Sequence, residues 1–206
     1  MTSDLWLEAQ VHLQRLPVIG PLVKRYGSCT LKPKTDYFAV LCDSIISQQI
    51  SVKASEAIFR RFSDFFQGNP TPEVVAQTTA EELKQVGISP QKAAYLLDLA
   101  RKFAGGDVAY TKFESMDNEE IIRELTKVKG IGRWTAEMFL IFALNRHNVL
   151  PVADLGIRRA VQVQYDLQEP ASAAEIKRAA EEWHPYETVA CWYLWRSLEN
   201  TRGQGE

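Results

Sequence analysis

Cysteine is scarce in this chain, and what there is lies scattered. Cys29, Cys42 and Cys191 form no CxxC pair and no regular spacing. That argues against a disulfide framework and gives no sign of a zinc or iron–sulfur site. His12, His147 and His184 are equally dispersed, and none reads as a metal ligand. No apolar run is long enough to span a bilayer. The opening MTSDLWLEAQVHLQRL lacks a basic n-region and carries Asp4 and Glu8, so it does not read as a secretory signal. Alternating apolar and polar runs of strand length are missing too. Finally, there is no excess of charge: the formal net charge is −2. As a total, that speaks against nucleic acid, because a DNA binder must neutralise phosphates.

The chain has 206 residues, 46% of them hydrophobic and 24% charged. That is enough for one large domain or two small lobes with a real core, in a globular rather than disordered protein. The distribution of charge qualifies the total. Residues 121–133, IIRELTKVKGIGR, carry Arg123, Lys127, Lys129 and Arg133 against Glu124 alone. A local basic patch can grip phosphates on a protein whose charges otherwise balance.

The periodicity is helical almost throughout. Leu5, Ala9, Leu13 and Leu16 share one face of residues 4–16, and residues 36–47 form an apolar, buried-looking helix. LPVIGPLVKRYGSCTLKPK is punctuated by proline and glycine and reads as loop or broken helix. Thr79 with Glu82, Asp117 with Glu120, and Ser172 with Glu175 have capping-box spacing. Ser89-Pro90 opens a helix that Gly105-Gly106 stops. One internal echo is visible. ELKQVGISPQKAAYLLDLA at 82–100 resembles ELTKVKGIGRWTAEMFLIFA from 124, each reading as helix, tight turn at Gly-Ile, helix. The echo could equally be ordinary helical-hairpin grammar.

VKGIGRWTAE, residues 128–137, is the most informative stretch. Gly130 and Gly132 permit positive φ and leave no Cβ in the way. A helix starting near Arg133 presents unpaired backbone N–H groups at the positive end of its dipole. With Lys129 and Arg133 flanking it, the turn reads as a phosphate site rather than a plain bend.

LTKVKGIGRWTA, followed after a helix by VLPVADLGIRRAV, resembles the helix-hairpin-helix DNA glycosylase superfamily, and within it the 3-methyladenine DNA glycosylase II class. The resemblance covers roughly residues 36–200. It implies an all-α, two-lobed fold with a DNA cleft between the lobes. Residues 36–150 would form a helical bundle ending in the hairpin, and 1–35 plus 151–206 the second lobe. It implies an enzyme that flips an alkylated purine of the 3-methyladenine or 7-methylguanine type out of duplex DNA, cuts its N-glycosidic bond and leaves an abasic site. The partner would be double-stranded DNA with alkylated bases, not a membrane, and the protein a monomer. The expected location is the cytoplasm, with the nucleoid, in a bacterium and the nucleus in a eukaryote. Too few residues precede the helical core for the β domain of larger members, so the chain resembles a compact form.

The resemblance assigns roles to positions. Lys129, Gly130, Gly132 and Arg133 match the phosphate-binding hairpin. The carbonyls of Thr126, Val128 and Ile131 match those that hold a structural Na+ or K+; the chemistry itself asks for no cofactor. Asp154 matches the catalytic aspartate. Gln49, with Gln48 beside it in ISQQIS, matches the turn that wedges into the gap left by the flipped base. Trp134, Met138 and Trp195 match the base pocket; Trp134 stands where glycosylase/lyase members carry a lysine, and Met138 where some relatives carry tyrosine.

Each position also has a plainer reading. Asp154 precedes LGIRRAVQVQY and would serve as an N-cap, a role compatible with catalysis. Large aromatics are usually core, although an indole face attracts a cationic alkylpurine. Gln49 sits between two helices, where polar residues are common. Two other functions stay open: a non-catalytic hairpin that only grips duplex DNA, needing neither Asp154 nor the aromatics, and a glycosylase/lyase of different base specificity.

Overall fold

The computed structural model describes residues 2–199. Among them the regular structure is helical, with no strand. Among the described residues no helix is long and apolar enough to cross a membrane. The helices are α1 (Thr2–Leu13), α2 (Ile19–Tyr26), α3 (Tyr37–Ser47), α4 (Val52–Phe65), α5 (Pro72–Ala76), α6 (Ala80–Gln85), α7 (Pro90–Ala104), α8 (Asn118–Thr126), α9 (Arg133–Phe142), α10 (Leu155–Gln164), α11 (Ala173–Ala180) and α12 (Glu187–Glu199). A 3-10 helix, Tyr110–Ser115, precedes α8. Their starts follow from local chemistry. Asp36, Ser51, Thr71, Thr79, Ser89, Asp117, Asp154 and Ser172 each accept an amide hydrogen bond from the first turn they precede. All three expected capping boxes are present. The stretch read as loop or broken helix is a broken helix: α2 follows α1 after a break, and Pro21 falls in its first turn, where a missing N–H costs nothing.

The chain divides into two units. One is Pro33–Phe139; the other joins the chain before it to the chain from Leu140 onward. In the first, α7 packs against α3, α5 and α6. Phe38, Leu41, Phe62, Leu96, Phe103 and Phe139 are buried there, with Tyr37 edge-on to Phe139 at 5.5 Å. In the second, α12 packs against α1, α2 and α10. Its core includes Leu13, Ile19, Val23, Ile157, Trp183, Tyr193 and Leu194.

Residues 140–150, expected with the helical bundle, group with the second unit instead. Thr188 explains this. Its hydroxyl donates to the Arg146 carbonyl (2.5 Å) and accepts from the Val149 amide (3.1 Å), and its own amide donates to the His147 carbonyl (3.0 Å). These bonds tie the stretch after α9 to α12, and a fully buried Thr188 requires them. Cys42 and Cys191 are buried, Cys29 is half-buried, and none of the three is in a disulfide.

Candidate functional site

The hairpin between α8 and α9 is held from inside. The Val128 amide donates to the Leu125 carbonyl and the Ile131 amide to the Val128 carbonyl, both at 3.1 Å. The side chains of Val128 and Ile131 are buried and pin the turn to its unit. Gly130 has φ +82°, and a Cβ there would lie 2.2 Å from the Tyr95 ring. Conformation and packing both demand glycine at that position. Gly132 is different. Its φ is not in the left-handed region, and a Cβ would meet nothing within 4 Å. The fold does not need glycine at 132. What its absent side chain provides is an open approach to the first amides of α9, where the helix dipole favours an anion.

The charges around the turn are unequal in role. Lys129 is exposed at the turn, while its amide donates to Asp98 Oδ2 at 2.8 Å. Lys102 Nζ reaches the same oxygen at 2.9 Å and also donates to the Lys127 carbonyl. Burial opposes ionisation of Asp98, but the Lys129 amide and the Lys102 ammonium outweigh it and hold the carboxyl below its ordinary range. Arg133, expected to meet phosphate, is engaged within the protein. Its guanidinium makes a two-pronged pair with Glu119, one arm at 2.9 Å, and its Nε donates to buried Glu137 at 3.0 Å. The hydrogen bonds it donates to Glu119 push the Arg133 pKa up. Its charge is matched by two carboxylates.

The turn after α3 is tied to the same hairpin. Gln48 Nε2 donates to the Gly130 carbonyl at 3.0 Å. Lys92 Nζ donates to the carbonyls of Ile46 and Gln48, each at 2.7 Å, satisfying the end of α3; burial lowers its pKa. Gln48 is therefore an internal brace. Gln49 beside it is exposed and carries φ +58°, a conformation unusual for a side chain with a Cβ. Exposed Ile50 and Val52 follow it. α7 thus holds two loops through Lys92, Tyr95, Asp98 and Lys102. On α9, Trp134 is 46% exposed and Met138 is partly buried. The carbonyls of Thr126, Val128 and Ile131 belong to the hairpin. The Val128 carbonyl among them accepts the Ile131 amide.

In the second unit Asp154 and Trp195 come together. Asp154 is the N-cap of α10, only 9% exposed, and its Oδ1 accepts from the Ile157 amide at 2.8 Å. Trp195 Nε1 donates to the same oxygen at 2.9 Å. Phe142 lies against the indole, ring centroids 5.5 Å apart. Leu155, next to Asp154, is 74% exposed, a large apolar side chain left uncovered beside a carboxylate.

Sequence reasoning did not single out Asp98, Lys102, Lys92, Tyr95, Gly156 or Phe142. Asp98 and Lys102 show the i,i+4 spacing of a helix-surface pair, but nothing local says that they reach the hairpin.

Residues 42–185 match the HhH-GPD superfamily, described as base excision DNA repair proteins. DNA-3-methyladenine glycosylase 1 of Schizosaccharomyces pombe is 34% identical over 197 residues, which are 92% of this chain and 86% of that protein. The structure of the 3-methyladenine DNA glycosylase Mag1 of the same yeast, in complex with abasic DNA, superposes with a TM-score of 0.83 at 34% identity, covering 93% of this chain and 97% of the other. A DNA-3-methyladenine glycosidase of Bacillus halodurans gives a TM-score of 0.85 at 32% identity, covering 95% and 91%.

Proposed function

The chain belongs to the HhH-GPD superfamily of base excision DNA repair proteins, and from that membership we propose that it is a monofunctional DNA glycosylase that releases alkylated purines from duplex DNA. The observation that carries this reading is Asp154, a carboxylate fixed at a helix N-terminus by an amide and an indole N–H. As the C–N bond of a nucleotide breaks, positive charge develops on the sugar. A nearby carboxylate stabilises that oxocarbenium-like state and orients the attacking water. A module that only grips DNA needs no such group.

The remaining parts fit the same chemistry. The open face at Gly132 and the exposed Lys129 take backbone phosphate, which sets register without reading sequence. Gln49, held out by its turn, fills the gap when a base leaves the stack. The half-exposed Trp134 offers an electron-rich face that favours a cationic 3-methyladenine or 7-methylguanine over normal bases. Because such bases are already good leaving groups, the site needs no second acid. Trp134 cannot form a Schiff base, so the product is an intact strand with an abasic site. A Na+ or K+ on the carbonyls of Thr126, Val128 and Ile131 would add positive charge at the phosphate grip; a neighbouring carbonyl, that of Lys127, already takes the Lys102 ammonium. The protein works in the compartment that holds the genome.

Asp154→Asn keeps the cap and removes the charge, since asparagine caps as well as aspartate. Release of methylated purines under single-turnover conditions should fall on the order of a hundredfold or more. Melting temperature and affinity for an abasic duplex should hold. A folded variant that excises at the wild-type rate would remove Asp154 from the mechanism.

A further inference from the structure

The family resemblance matches Trp195 to the base pocket, but in the structure its N–H edge is committed to a carboxylate. The indole donates to Asp154 Oδ1 at 2.9 Å, on the same oxygen that takes the Ile157 amide at 2.8 Å. Two donors on one oxygen restrict rotation of the carboxylate about its Cβ–Cγ bond, and so set where the second oxygen points. The contact depends on Gly156. A Cβ at that position would stand 3.0 Å from Asp154 Oδ1 and 3.0 Å from Trp195 Cδ1 and Nε1. Glycine in the first turn of α10 is otherwise a cost, because alanine is the better helix former by about 1 kcal/mol. Its φ is not left-handed, so conformation does not call for it. The Phe142 ring, 5.5 Å away and tilted by 31°, supports the indole from a third element.

On the basis of the glycosylase reading above, we infer that Trp195 acts on the reaction through Asp154. It is a positioning residue that, with the Ile157 amide, clamps one carboxylate oxygen, and Gly156 is the vacancy that lets the indole edge reach it. Orientation matters because the carboxylate helps only if it faces the sugar as the bond breaks. The base plays no part in this role, so its effect is the same whichever alkylpurine leaves.

Two variants test this independently. Trp195→Phe keeps an aromatic face and removes the donor. Gly156→Ala keeps the indole and crowds it off the carboxylate. Single-turnover release of 3-methyladenine and of 7-methylguanine from methylated duplex is measured for each, beside melting temperature and affinity for an abasic duplex. Loss of one hydrogen bond to a charged group predicts a slowing on the order of tenfold. The same factor should appear for both bases and both variants, with binding unchanged. Different factors for the two bases would make Trp195 a wall of the base pocket only, and overturn the inference. So would wild-type rates in both folded variants. If Trp195→Phe does not fold, Gly156→Ala alone decides. Failure of the parent reading looks different: the unaltered protein would release neither base.

Discussion

The unit Pro33–Phe139 contains two helical hairpins built to one plan, and only one of them is open. Both begin with a capping box, Thr79 with Glu82 and Asp117 with Glu120. Both turn on a glycine with positive φ, +93° at Gly87 and +82° at Gly130. Both then bury an isoleucine, Ile88 or Ile131, before the next helix. They part at the following two positions. In the first hairpin Ser89 caps α7 by accepting from the Lys92 amide, and Pro90 has no N–H to offer. In the second, Gly132 has no side chain to cap with or to obstruct, and Arg133 keeps its N–H. The positive-φ glycine is a requirement of the turn. The second glycine is not: a Cβ there would meet nothing within 4 Å.

The largest effect should come from making the open hairpin like the closed one. Gly132→Ser with Arg133→Pro should keep the helix start, because proline suits the first helical position, while lowering the melting temperature through the lost pair with buried Glu137. Duplex affinity should fall on the order of a hundredfold, the worth of one or two charge-assisted hydrogen bonds. Fluorescence anisotropy with an abasic duplex measures it; unchanged affinity would put the grip elsewhere.

Next is the contrast between the two glycines of the open hairpin. Gly130→Ala meets the Tyr95 ring and a left-handed φ, and should cost about 3 kcal/mol of stability in denaturant unfolding. Gly132→Ala should change stability by less than about 0.5 kcal/mol while weakening duplex binding on the order of tenfold. Equal effects on stability would erase the distinction between a fold glycine and a functional one.

The smallest effect separates the two basic residues. Lys129→Ala should make the salt dependence of duplex binding shallower by about one unit of slope. Arg133→Gln should change it less, because Glu119 and Glu137 already match that charge. A full unit lost at Arg133 would mean that its ion pairs open to admit phosphate.

Helix starts were legible along most of the chain, because a cap is a contact between residues three apart. Pro21 marks the limit of that legibility: it left loop and broken helix open, and in the first turn of α2 it permits a helix. The hairpin was legible for the same local reason, and Asp154 was legible as a cap. What the sequence could not convey is which partner each polar group takes when several are in reach. Arg133, expected to meet phosphate, turned to Glu119 and Glu137 instead. Gln48, next to the exposed Gln49 in the same short turn, braces the Gly130 carbonyl instead of facing outward.

Sequence by itself determined most of the helices, their caps, Asp154 among them, and the two glycine turns, since all of these depend on neighbours along the chain. Only the tertiary structure decided that Gly130 rests on the Tyr95 ring, that Asp98 holds the hairpin by the Lys129 amide, and that Trp195 spends its N–H on Asp154. Those contacts join residues distant in sequence. They exist because buried apolar faces fix how α7 packs within one unit and α12 within the other, and a polar group buried by that packing must take a partner the packing supplies.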